Sequence, residues 1–93
     1  MSKPKQINVK EAVKIYYSKI EIGTSDIKRI FSVSSDTSAG RLKKQVREQM
    51  ALENKKPMFS GNVLTKTAFE VWGLDIKELE RMYNKSIALG LEV

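Results

Sequence analysis

Between Ser34 and Arg47 the chain sets four short hydroxyl side chains, Ser34, Ser35, Thr37 and Ser38, just ahead of three cations at helical spacing, Arg41, Lys44 and Arg47. Short hydroxyls let a partner approach closely while both donating and accepting hydrogen bonds. Arginine adds a planar fork for paired bonds, and lysine a point charge suited to phosphate. Residues three and four apart share one face of a helix. The pattern therefore suits a rod whose side meets nucleic acid: Arg41 against a guanine edge, Thr37 or Ser38 against a thymine methyl or a base edge, Lys44 against phosphate. Upstream, Thr24, Ser25 and Lys28 can hold neighbouring phosphates. Basic faces of this size also occur simply as solvated surface. Solubility, however, does not call for hydroxyl groups gathered at the start of the same helix.

Other chemistry is largely excluded by composition. The chain has no His and no Cys, which removes the commonest metal ligand, the commonest general base, thiolate sites and disulfides. Neither GxxxxGK[ST] nor GxGxxG occurs, so no phosphate-cradling loop for a nucleotide is expected. Asp75, Glu78 and Glu80 are explained by helix capping and solvation. We expect no enzyme activity, no metal and no cofactor.

These residues must be positioned by helices. Asn8 followed by Glu11 has capping-box spacing, and Val9, Ala12, Val13, Tyr16, Tyr17 and Ile20 repeat behind it, predicting a helix over about Val9 to Lys19. Gly23 breaks the chain, after which Thr24 or Ser25 can cap a short helix that turns Ile27, Ile30 and Phe31 inward and ends near Ser32. Ser32-Val33-Ser34-Ser35 reads as a turn, and Ala39, Leu42, Val46 and Met50 mark the inner side of a helix over about Asp36 to Leu52. Its outer side carries Thr37, Arg41, Lys44, Arg47 and Glu48. Asn54-Lys55-Lys56-Pro57 ends it, and within residues 57–64 Met58-Phe59 and Val63-Leu64 are expected to pair as a short wing-like hairpin around Ser60-Gly61-Asn62. Thr65 can cap a further helix with Ala68, Phe69 and Trp72, closed by Gly73. Asp75 and Glu78 open a last one, lined by Ile76, Leu79, Tyr83 and Ile87 and ended by Gly90. The aromatic residues Tyr16, Tyr17, Phe59, Phe69, Trp72 and Tyr83 are expected in the core rather than as a base-stacking platform.

Charge is uneven along the chain. The total is +6, yet residues 1 to 56 hold 13 Lys/Arg against 6 Asp/Glu, while residues 57 to 93 hold 4 against 5. A cationic half favours a polyanionic partner, because neutralised phosphates release counterions. At 93 residues one core is the expectation. Residues 1–7 read as a flexible basic arm and 8–93 as a single domain. No apolar run approaches a membrane span and no signal-peptide core follows the N-terminus, so a cytoplasmic protein without membrane contact is expected.

Ile27-Lys28-Arg29-Ile30-Phe31-Ser32-Val33-Ser34-Ser35 resembles the small helix-turn-helix DNA-binding proteins, some of them winged, of Gram-positive phages and mobile elements, both regulators and excisionase-like proteins. A looser likeness continues through Gly61-Asn62-Val63-Leu64-Thr65-Lys66-Thr67-Ala68-Phe69, and together the two stretches cover under half the chain. Two departures stand out: Ser32 lies where that family's tight turn often has Gly, and the apolar positions of the following helix are displaced by one residue. The resemblance implies a mainly α fold with a three-helix core, a helix-turn-helix at about residues 24–52, a short β-hairpin, and one or two C-terminal helices. It also implies sequence-selective binding of double-stranded DNA, for transcription regulation or excision, with a homodimer formed through the C-terminal helix. The competing expectation is a protein-interaction or phage structural adaptor domain that presents Met82, Tyr83, Ile87, Leu89 and Leu91 to another chain and binds no nucleic acid.

Overall fold

The computed structural model describes residues 7–90, so residues 1–6 of the arm expected at 1–7, and Leu91, lie outside the described residues. Asn8 begins the first helix, α1 (Val9–Ser18), because its side-chain oxygen accepts the Glu11 N–H at 3.1 Å. Val9, Ala12 and Ile15 form its buried stripe, with Val13 and Tyr16 beside them. Tyr17 and Ile20, expected inward, are exposed. The helix stops at Ser18, so Ile20 falls past the last turn and the core-facing stripe passes through Ile15 instead.

From there the chain runs as β1 (Glu21–Ile22), and its partner is β2 (Val63–Leu64), antiparallel, with Glu21 opposite Leu64 and Ile22 opposite Val63. This corrects the expected hairpin: Met58-Phe59 forms no strand, and the partner of Val63-Leu64 lies far upstream. Burial decides between the two pairings. Ile22 and Val63 are both sealed in the core, whereas Met58 and Phe59 are exposed and have their N–H groups taken by the Glu21 carboxylate.

Helix α2 (Thr24–Phe31) buries Ile27, Ile30 and Phe31. Neither Thr24 nor Ser25 caps it. The N-cap is Gly23, whose N–H donates to the Asp26 carboxylate at 3.2 Å, so an acid within the first turn satisfies the end from inside. The chain then turns through Ser32, which takes the left-handed conformation (φ 55°) while the Val33 N–H reaches back to the Lys28 carbonyl at 3.1 Å. That backbone demand is why glycine is favoured at such a turn. Ser35 caps α3 (Asp36–Leu52) by accepting the Ser38 N–H at 3.3 Å. Helix α3 buries Ala39, Val46 and Met50 and packs along α2, with Val33 and Leu42 half-buried at the corner. Its far end closes on Asn54 (φ 59°), with the Lys55 N–H on the Met50 carbonyl at 2.8 Å.

Helix α4 (Thr65–Val71) packs on α3. Its N-cap is Leu64 and not Thr65, whose buried hydroxyl has no hydrogen-bond partner among the described residues. Gly73 (φ 73°) ends it as expected: Gly73 N–H bonds the Glu70 carbonyl at 3.1 Å and Leu74 N–H the Phe69 carbonyl at 2.8 Å. Asp75 caps α5 (Ile76–Ala88), which packs against α1 through Leu79 while Ile87 stays exposed. Phe69 joins the parts, stacking edge-on with Tyr16 at 4.9 Å and tilted toward Trp72, whose other side meets Phe31 at 4.9 Å. The Trp72 indole N–H donates to the Leu42 carbonyl at 3.2 Å, tying α4 to the middle of α3. The fold is thus mainly helical with one short antiparallel strand pair. Of the aromatic set, Tyr17 and Phe59 are corrected from core to surface.

Candidate nucleic-acid interface

A helix winds about 100° per residue. On α3 that places Thr37, Arg41, Lys44 and Glu48 opposite the buried line of Ala39, Val46 and Met50, and all four are exposed. Arg41, Lys44 and Arg47 make no ion pair with any described residue, so their charge is available on the outer face. Ser34, Ser35, Thr37 and Ser38 are exposed at the tip, and no later segment covers them. Only Ser35 has its hydroxyl committed, to the cap. Gly40 is also exposed, and nothing stands near the place its side chain would occupy, leaving the backbone there open to close approach.

The upstream residues are less free than their types imply. Lys28 forms an ion pair with Asp36 at the tip of α3, and that hydrogen-bonded ammonium holds the Asp36 carboxyl below the usual carboxylate range. Lys28 therefore links α2 to the start of α3, while Asp36 adds a negative charge beside the hydroxyl cluster. Thr24 and Ser25 sit at the other end of α2, in the same first turn as the buried Asp26 carboxylate. Burial raises the Asp26 pKa, but bonds from Lys19, Gly23 and Arg29 outweigh it and keep the group below its ordinary value. An anion is thus already built into this helix start, which weakens the case for a phosphate clamp there. The ten expected residues fall into two groups: Ser34, Ser35, Thr37, Ser38, Arg41, Lys44 and Arg47 along α3, joined by Lys28, and Thr24 and Ser25 apart from them.

One flank of α3 carries a feature that the residue types did not signal. Arg47 lies between the outer face and a crevice of about 580 Å³ whose other walls include Lys55, Lys56, Ser60 and Asn62, with Met50 among its lining. Lys43 closes the seam, donating to the Gly61 carbonyl at 2.8 Å; burial lowers its pKa, and the nearby Arg47 lowers it further. The loop is held at its far side by Glu21, whose carboxylate accepts the Met58 N–H, the Phe59 N–H at 3.2 Å and the Asn62 amide at 3.3 Å. The Met58 N–H is the main reason this carboxyl stays below its usual range. Lys55-Lys56-Pro57 read in sequence only as a helix end, and nothing marked Glu21, because its partners are 37 to 41 residues away.

Among the described residues no helix is long and apolar enough to cross a membrane. No family model, curated protein or solved structure matches the chain.

Proposed function

We propose that this chain binds double-stranded DNA with sequence selectivity, laying the outer face of α3 in the major groove, and that it acts in the cytoplasm as a transcriptional regulator or excisionase-like accessory protein of a phage or mobile element. It performs no chemistry itself. The observation that carries this reading is the open face of α3, where exposed hydroxyls at the tip run directly into three unpaired cations and α2 braces the buried side. A protein groove reader needs that arrangement: a rigid corner behind, hydrogen-bonding groups near the helix start, and charge for the flanking phosphates. The resemblance of Ile27 to Ser35 to helix-turn-helix proteins points the same way.

The test is selection from random duplexes followed by binding isotherms. Arg41→Ala is expected to relax preference at one base pair by ~1–3 kcal/mol. Lys44→Ala and Arg47→Ala are expected to weaken all sequences alike and flatten the salt dependence. If Lys44, Arg47 and Lys56 each neutralise one phosphate, the slope of log K against log salt is about −2.7, a loss of roughly 40-fold between about 50 and 200 mM salt. Isotherms unchanged in all three variants would remove the site, and a flat salt response would remove DNA as the partner.

A second surface supports a homodimer. Met82, Ile87 and Leu89 on and just after α5 are 47%, 56% and 63% exposed. Paired half-sites read by a dimer would use this helix. Self-association without any affinity for duplex would instead favour the adaptor role.

A further inference from the structure

Two large apolar side chains stand in solvent at the tip of the loop beside α3: Met58 is 77% exposed and Phe59 66%. The loop bearing them is pinned. Glu21 takes the backbone N–H groups of both residues and the Asn62 amide, Lys43 holds Gly61 from the α3 side, and the Asn62 N–H closes a turn on the Phe59 carbonyl at 3.1 Å. With the backbone so tied, both side chains are presented outward on a fixed turn beside α3.

The surroundings of the tip are cationic. Arg47, Lys55 and Lys56 line the crevice on the α3 side. The two nearby acids are already engaged: Glu21 by the loop itself, and Glu53 by Gln49 at 2.7 Å and Lys55 at 3.0 Å. An apolar point flanked by Arg47 and Lys56, neither of which has an ion-pair partner among the described residues, does not suit an apolar protein surface, which would have to bury those charges. It does suit a strand of phosphates with stacked bases behind it.

We propose that residues 55–62 form a second DNA-contacting element, in which Arg47, Lys55 and Lys56 seat the phosphodiester strand bordering the groove that α3 occupies while Phe59, backed by Met58, wedges into a base step of the adjacent minor groove and bends the duplex. The proposal rests on the DNA-binding reading of α3. Continuity supports it, because Arg47 belongs to both the outer face of α3 and the crevice. Partial unstacking by an apolar side chain costs a few kcal/mol and is offset by the additional surface a bent duplex brings into contact.

The experiment uses the full chain and a duplex of about three helical turns obtained by selection with the unaltered protein, labelled at both ends for energy transfer and carrying 2-aminopurine at successive steps. Binding is expected to raise end-to-end transfer and to brighten 2-aminopurine at one step. Met58→Ala/Phe59→Ala is expected to abolish both signals and weaken binding by about tenfold with an unchanged salt slope, because no cation is removed. Arg41→Ala, by contrast, should weaken binding while the complex that still forms remains bent. Because both mutated residues are exposed, an unchanged Tm verifies folding. Bending and brightening that persist in the double variant overturn the wedge, as does a straight complex with the unaltered protein, while α3 keeps its role. Failure of the unaltered protein to select any duplex overturns the α3 reading and this one together. Binding to phosphatidylglycerol vesicles that is lost in Phe59→Ala, without duplex bending, overturns the wedge in favour of a lipid surface.

Discussion

Replacing Asp26 with Ala tests the joint that fixes the start of α2, the helix that braces α3. The carboxylate is buried and accepts from the Lys19 ammonium at 2.8 Å, the Arg29 guanidinium at 2.9 Å and the Gly23 N–H at 3.2 Å, so it joins the segment after α1 to the start of α2. The two cations are 44% and 53% exposed and regain water when their partner is removed, so each bond counts for at most about 0.5 kcal/mol. Loss of the N-terminal bond costs about 1 kcal/mol. The sum is about 2 kcal/mol, which for a domain of this size lowers Tm by roughly 8–16 °C. Asp26→Asn keeps an oxygen for Gly23 and should cost about half as much. The pH dependence has a definite sign. The folded carboxyl titrates below its ordinary value of 3.8, so its stabilisation is complete above that pH and disappears as pH falls through the lower folded value. Thermal unfolding followed by circular dichroism should therefore show the gap between unaltered protein and Asp26→Ala constant near neutrality and shrinking below about pH 4. A gap of the same size at every pH, or no gap at all, would refute the assignment of stability to this charge.

Two further expectations concern the fold. Thr65→Val replaces a buried hydroxyl that lacks a partner among the described residues with a group of the same shape, so denaturant unfolding should show a gain of about 1 kcal/mol. A loss instead would mean that the hydroxyl is satisfied. Ser32→Gly relieves a left-handed backbone at φ 55° and should raise stability by about 0.5–1 kcal/mol without changing duplex affinity. A lower Tm would show that the turn is not constrained there.

Much of the helical plan is legible in local chemistry. Asn8 and Asp75 cap where their spacing to later residues says they should, Gly73 and Gly90 take the positive φ that ends a helix, and Asp36–Leu52 follows from the recurrence of Ala39, Val46 and Met50. Those features involve neighbours within a few residues. At the start of α2 the local reading chose the wrong signal: the two hydroxyl residues beside Gly23 looked like better caps, yet the Asp26 carboxylate three residues on accepts the Gly23 N–H.

Residue order by itself determined the helices, the turn at Ser32 and the cationic outer face of α3, since hydrogen bonds and side-chain faces within a helix depend on spacing of three and four residues. Tertiary structure alone decided what α3 has beside it. Pairing Ile22 with Val63 buried two apolar residues that no local pattern connects, and it set Glu21 under a loop about forty residues downstream. It also left Lys28 bound to Asp36 and removed it from the set of free cations. Burial and charge pairing are properties of the assembled chain, so which cations stay free and which apolar residues stay in water could be read only once the core had closed.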